Sequence, residues 1–201
     1  MTVFGIDLSM RSTGISVIKD KQLIAFKVVK NNILKDESLF IHNVNEITEF
    51  IYTYISADSV FAIEGLSLNS LSGEKDKIYG QFWYLRCVLK LVFPDTPIRI
   101  IPVKEWRSPL FTKAENKILS EAKKTLKTDK VSIKGMKGDD RKITRKINQE
   151  LKDAANIKLL TFNKLPETIK NEFNQYIAES NLPDESKYDL ADSFFIASHI
   201  N

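Results

Sequence analysis

Four acids stand where acids are costly. Asp7 lies inside TVFGIDL, between Ile6 and Leu8, and Glu64 closes a run of Val60, Phe61, Ala62 and Ile63. Asp189 and Asp192 fall three residues apart in YDLADSFFIA, flanked by Leu190, Phe194, Phe195 and Ile196. That spacing puts both side chains on neighbouring turns of one helix face. An ionised carboxylate in apolar surroundings is unfavourable unless something compensates it. Each acid taken alone is equally well read as a satisfied core group. Asp189 has the further reading of an anion in a helix's first turn, where the dipole favours it. As a set, converging from a strand centre, a strand end and a paired helix position, the four need a cation of high charge. All-oxygen ligation suits Mg²⁺, with Mn²⁺ as a substitute. Two such ions side by side support phosphodiester hydrolysis, one activating water and the other stabilising the leaving oxygen.

The elements that must position these acids are legible in outline. TVFGIDL, TGISVI and QLIAFKVV are β-rich runs separated by SMRS and KDK, which makes an antiparallel meander. Alternation in the first strand places Phe4, Ile6 and Leu8 on one face and Val3, Gly5 and Asp7 on the other. Apolar spacings of three and four across residues 36 to 57 predict an amphipathic helix. SVFAIEG reads as a buried strand, a helix follows over roughly 74 to 92 until Pro94, and TPIRIIPV is a fifth strand. This order implies an α/β fold with a mixed five-stranded sheet and helices on both faces. KITRKINQELKDAANI reads as one helix. LPETIKNEFNQYIAESNLPD reads as another, opening at Pro166, and the last helix starts near Asp184 or Ser186. Two glycines in SIKGMKGDD suggest a mobile loop or hinge there.

The chain has 201 residues, a net charge of +4 and one cysteine, Cys87. Between Lys104 and Lys152 there are 15 Lys and Arg against 7 Asp and Glu. Charge concentrated in this way suits a polyanionic partner, although a solvated helical face has the same composition. A single cysteine excludes an intrachain disulfide and a cysteine-cluster zinc site. No basic leader and no long apolar run is present, so the expectation is a cytoplasmic protein (host cytoplasm if viral) with no membrane contact.

These residues carry a resemblance. GIDLSMRSTGISVI is similar to the opening strand–turn–strand of RuvC-type Holliday junction resolvases, FAIEG to their second acidic motif, and YDLADSFFIA to their terminal D-x-x-D helix. The resemblance covers residues 1 to about 117 and 186 to 201. It implies a single ribonuclease-H-like nuclease domain, a homodimer, and Mg²⁺-dependent paired nicking of branched DNA, with two ions and no small-molecule cofactor. Asp7, Glu64, Asp189 and Asp192 become the catalytic metal ligands. Arg11 in the first turn, Arg107 in VKEWR, and Lys113 and Lys117 in KAENK become DNA contacts. The chain departs from the family pattern twice. The family's aromatic wedge position holds Ser67, with Leu66 and Leu68 as possible substitutes. The stretch between Glu64 and Asp189 is also much longer than in compact members. The surplus is a Lys-rich helical insertion at about 118–182, read as an added DNA-binding surface. Longer members of this kind occur in phages.

Three rival readings share the fold. The DLSMRSTG loop loosely resembles the phosphate loop of actin-like ATPases and sugar kinases. Only 7 glycines are present, however, and there is no second glycine-rich phosphate motif. A nuclease acting on structured RNA or hybrids would use the same acids. A non-catalytic DNA-binding protein would have no reason to keep all four. His42 and His199 are assigned no role.

Overall fold

The computed structural model describes residues 1–9, 11–30, 38–66, 75–129, 132 and 137–200. Ser67 and Leu68 lie outside the described residues, as do residues 133–136 of SIKGMKGDD. Five strands form one sheet: β1 (Thr2–Leu8), β2 (Ser12–Lys19), β3 (Gln22–Lys30), β4 (Ser59–Glu64) and β5 (Ile98–Ile101). Their order is β3-β2-β1-β4-β5. The first three are antiparallel, while β4 and β5 run parallel to β1. This is the mixed five-stranded α/β sheet expected above. The β2–β3 hairpin closes on Asp20 and Lys21, both at positive φ, the pairing that suits a two-residue loop to strand twist.

Two helices cover one face, α1 (Leu39–Tyr54) and α2 (Lys75–Val92). Val44, Ile47 and Ile51 of α1 and Phe82, Leu85 and Leu89 of α2 pack on Phe4, Ile6, Ile15, Val17, Phe61 and Ile63. The inward side of β1 is the one its alternation predicts. After β5 come α3 (Val103–Arg107), a single 3₁₀ turn, α4 (Lys113–Asp129), α5 (Gly138–Ala154), α6 (Ile157–Asn163), α7 (Glu167–Glu179) and α8 (Ser186–Ser198). Helix α4 opens with a reciprocal cap. The Thr112 N–H donates to the Glu115 carboxylate at 2.8 Å, and the Glu115 N–H donates to the Thr112 hydroxyl at 3.2 Å.

The helix expected over KITRKINQELKDAANI is α5, which ends at Ala154, and a new helix starts at the end of that stretch. The Asn156 side chain accepts from the Lys158 and Leu159 N–H groups and starts α6. A cap of this type supplies partners for the orphan donors of a new helix, so a short polar residue inside a helical pattern is enough to end one helix and begin the next.

The Lys-rich segment therefore has two parts. Helices α4 and α5 pack on each other and bury little beyond Leu119 and Asn148. Helices α6 and α7 belong to the core: Phe162, Leu165, Phe173 and Ile177 join Val28 of β3 and Leu190 and Ala191 of α8.

Helix α8 lies on the other face of the sheet, against β1 and β2. Its apolar residues do not dock it alone, as its composition suggests. The buried positions include Asp189, Asp192 and Ser193 beside Leu190, Ala191, Ile196 and Ala197. The Ser16 and Ser193 hydroxyls meet at 2.7 Å. The backbones approach so closely that glycine is required. A Cβ on Gly5 would stand 2.0 Å from the Ser193 carbonyl oxygen, and one on Gly14 would stand 2.2 Å from that of Asp189.

Gly5→Ala and Gly14→Ala are each expected to cost roughly 3 kcal/mol or more, because backbone rather than a flexible side chain must yield. Gly80→Ala, inside α2 with nothing within 4 Å of the added methyl, is expected to stabilise by about 1 kcal/mol. Urea unfolding midpoints compared at constant m-value check both.

A carboxylate cluster as candidate active site

The sheet brings the first two acids level. In the parallel pairing of β1 and β4, Ile6 lies opposite Ile63, so the residues that follow, Asp7 and Glu64, emerge together at the same end. Asp7 also pairs with Gly14 of β2, the glycine on which the Asp189 backbone rests. The contact that seats α8 thus delivers Asp189 and Asp192 beside Asp7. Asp7, Asp189 and Asp192 are buried, at 3%, 7% and 1% exposure, and Glu64 is half-buried at the rim.

Each acid has a different surround. The Ser12 hydroxyl donates a short hydrogen bond to Asp189 Oδ2, and Lys158 Nζ donates to Asp189 Oδ1 at 2.7 Å. Lys158 Nζ also stands 3.7 Å from Asp7 Oδ2 and 3.8 Å from Asp192 Oδ2. Arg107 Nη2 donates to Asp192 Oδ2 at 3.0 Å, and its guanidinium stacks on the buried Trp106 ring at 4.4 Å.

The electrostatics follow from crowding. Burial and the negative charge of Asp7 push the Glu64 carboxyl up to about 10. Burial and Asp7 raise Asp192 to about 7, against the opposing pull of Arg107 and Lys158. Asp189 is raised for the same two reasons, while Lys158 and Ser12 act in the other direction. At Lys158, burial disfavours the charge, but Asp7, Asp189 and Asp192 together outweigh it and raise the ammonium's pKa.

Lys158 went unforeseen in the sequence. The only local signal is weak: once Asn156 is taken as a cap, Lys158 is a cation in a helix's first turn, against the dipole. Nothing in the sequence pairs it with acids at positions 7, 189 and 192.

The four expected acids converge. Of the four expected DNA contacts, Arg11 and Arg107 stand at the cluster. Arg107 lines a cleft with Glu64, Asp192 and Lys158. Arg11 lines a second cleft with Ser12, Lys30, Asp189 and Lys158. Lys113 and Lys117 lie exposed on α4 and line neither cleft. Leu66, a possible wedge, is half-buried and packs against the core under α1 and α2. His42 and His199 are exposed, and His199 stands 4.0 Å from Glu105.

The donor set fits a hard divalent cation. Asp7 Oδ2 and Asp192 Oδ1 are buried with no hydrogen-bond partner among the described residues, a costly state that an oxygen-seeking ion relieves. Among the described residues, no group of three or more acids, histidines or cysteines stands arranged as a ready-made metal cage. The ammonium of Lys158 is what the three aspartates surround.

The raised carboxyls bind protons in the folded chain that the unfolded chain has released. Their folded values exceed the ordinary ones of 3.8 and 4.5, so stability falls as pH rises from about 5 to 9 in the absence of divalent ions. Chemical denaturation with a chelator present is expected to show this slope. Glu64→Gln, which cannot ionise, is expected to flatten it above pH 7.

No family model matches the chain, and no curated protein matches it. Among solved structures, the chain is similar to T. thermophilus RuvC in complex with Holliday junction substrate. The identity is 16%, the match covers 58% of this chain and 72% of that chain, and the TM-score is 0.47. Among the described residues, no helix is long and apolar enough to cross a membrane.

Proposed function

We propose that this chain is a metal-dependent endonuclease that cuts branched DNA, with four-way junctions as the preferred substrate. The observation that carries the reading is the convergence of Asp7, Glu64, Asp189 and Asp192, from two strands and a helix, between two clefts that also carry cations. Buried acids at three places in a sheet and a helix have no structural use that apolar residues would not serve better.

Asp7, Glu64, Asp189 and Asp192 are the residues that would hold Mg²⁺ or Mn²⁺. When bound, the metal supplies Lewis-acid polarisation of a phosphoryl oxygen and a water of lowered pKa. The chain's own cations have separate work. Arg107, locked over Trp106 and against Asp192, presents a planar donor fork suited to a phosphate in its cleft. Arg11 lines the cleft on the other side, so a backbone crossing the acids meets positive charge before and after them. The α4–α5 pair, with most of the Lys-rich segment exposed, adds a salt-sensitive grip outside the clefts.

The choice of a four-way junction rests on the order and spacing of GIDLSMRSTG, FAIEG and YDLADSFFIA. Paired nicking requires two sites, so a homodimer is part of the proposal, and sedimentation is expected to show it. A phage origin remains a part of the resemblance with no structural correlate. The second reading, cleavage of RNA–DNA hybrids, uses the same acids.

Synthetic four-way junction, three-way junction, flap, duplex and hybrid substrates separate these readings. Symmetric cuts are expected in the four-way junction with Mg²⁺. Asp7→Asn is expected to lower the rate at least about 10³-fold, a loss of about 4 kcal/mol of transition-state stabilisation. Equal cutting of hybrids would replace the junction assignment, and tight binding without cutting would replace the enzyme by a binding protein. Neutralising Lys113 and Lys117 is expected to weaken binding and to make it less salt-dependent, the slope falling by roughly one for each phosphate no longer neutralised.

A further inference from the structure

We propose that Lys158 takes the place of one divalent cation in the carboxylate cluster, so that the site binds a single ion. This departs from the two-ion arrangement that the motifs imply. It rests on the metal-dependent reading above and concerns how many ions that site accepts.

The position of the ammonium carries the inference. Lys158 Nζ lies within 4 Å of carboxylate oxygens from three aspartates, at 2.7 Å from Asp189, 3.7 Å from Asp7 and 3.8 Å from Asp192. The ammonium thus supplies, to the same three carboxylates, the positive charge that a divalent cation would otherwise supply. Lys158 is also held there by more than its own charge. Its backbone N–H is bound to the Asn156 cap at 3.0 Å, and α6 is anchored by Thr161 and Phe162, buried against α8. The helix that carries the lysine is thus packed on the helix that carries two of its partners. A surface lysine that happened to fold inward would lack this support.

The oxygens divide accordingly. Both oxygens of Asp189 are engaged, one by Lys158 and one by Ser12. Asp192 Oδ1 is buried without a hydrogen-bond partner among the described residues, and Glu64 lines the same cleft as Arg107. Among the described residues, the donors not already engaged therefore include Asp192 Oδ1 and the Glu64 carboxyl, while Asp189 is satisfied. Charge gives the same division. Four carboxylates already face two fixed cations, Arg107 and Lys158, and one divalent ion brings the fully ionised cluster to neutrality. A second would have to enter against the ammonium that already fills its place, in a site where screening by water is reduced.

Manganese binding to the full-length chain tests this without using activity. Equilibrium titration followed by electron paramagnetic resonance is expected to give one Mn²⁺ per wild-type chain, with no spin-coupled pair. Lys158→Met is expected to bind two, with the broadened signal of ions a few ångströms apart, and Lys158→Arg is expected to remain at one. Lys158→Gln, which keeps a donor for Asp189, serves the same purpose if the methionine perturbs the fold. Two coupled ions in the wild type would overturn the inference while leaving the metal site standing, because the lysine would then have swung out. A single ion in both neutral variants would also overturn it. No Mn²⁺ in the wild type would overturn the metal-dependent reading itself and the inference with it.

Discussion

The structure depends on one close contact. Helix α8 lies on β1 and β2 at a distance that only glycine permits, with the Ser193 carbonyl over Gly5 and the Asp189 carbonyl over Gly14. Strand and helix backbones rarely approach so nearly, since any side chain would hold them apart. The consequence of the approach is local. Asp7 is cross-strand neighbour to Gly14, so seating α8 there places Asp189 beside it, and one turn on Asp192 follows. A helix a few ångströms higher would still cover the apolar residues of the sheet, but its acids would no longer meet those of the strands.

That contact creates an electrostatic problem, and the long segment before α8 answers part of it. Four carboxylates in a partly dry site are costly to ionise: burial first, and then the charge of Asp7, raise Glu64 and Asp192. Arg107 arrives from the turn after β5, fixed by its stack on Trp106. Lys158 arrives from α6, a seven-residue helix that exists because Asn156 caps it. The extra length between Glu64 and Asp189 is therefore more than an appended arm. Its outer pair, α4 and α5, is largely solvated, while α6 and α7 build the apolar cluster of Phe162, Phe173 and Leu190 and bring a cation into the acids.

Much of this was legible from local pattern. Strand alternation placed Asp7 opposite the Phe4, Ile6 and Leu8 face, and the i, i+3 spacing placed Asp189 and Asp192 on one side of a helix, because both inferences need only the period of a single element. The antiparallel meander followed from short turns, and the parallel strands from the helices between them. What stayed out of reach was of a different kind. That a second helix starts at Asn156 is set by a cap, whose margin over propensity is too small to see in one chain. The apolar residues of α8 pack on the sheet as read, but small residues and hydroxyls, Ser16 against Ser193 among them, share the contact.

By itself, then, the sequence determined the acids, their elements and the sheet that would carry them, because these follow from periodicity and from the cost of burying charge. The tertiary structure decided which cations answer those acids. Lys158 is 151 residues from Asp7 in the chain and 31 from Asp189. No local rule links such positions. They meet because a capped helix packs on α8 and α8 packs on two glycines, and each step is a matter of backbone approach rather than residue pattern.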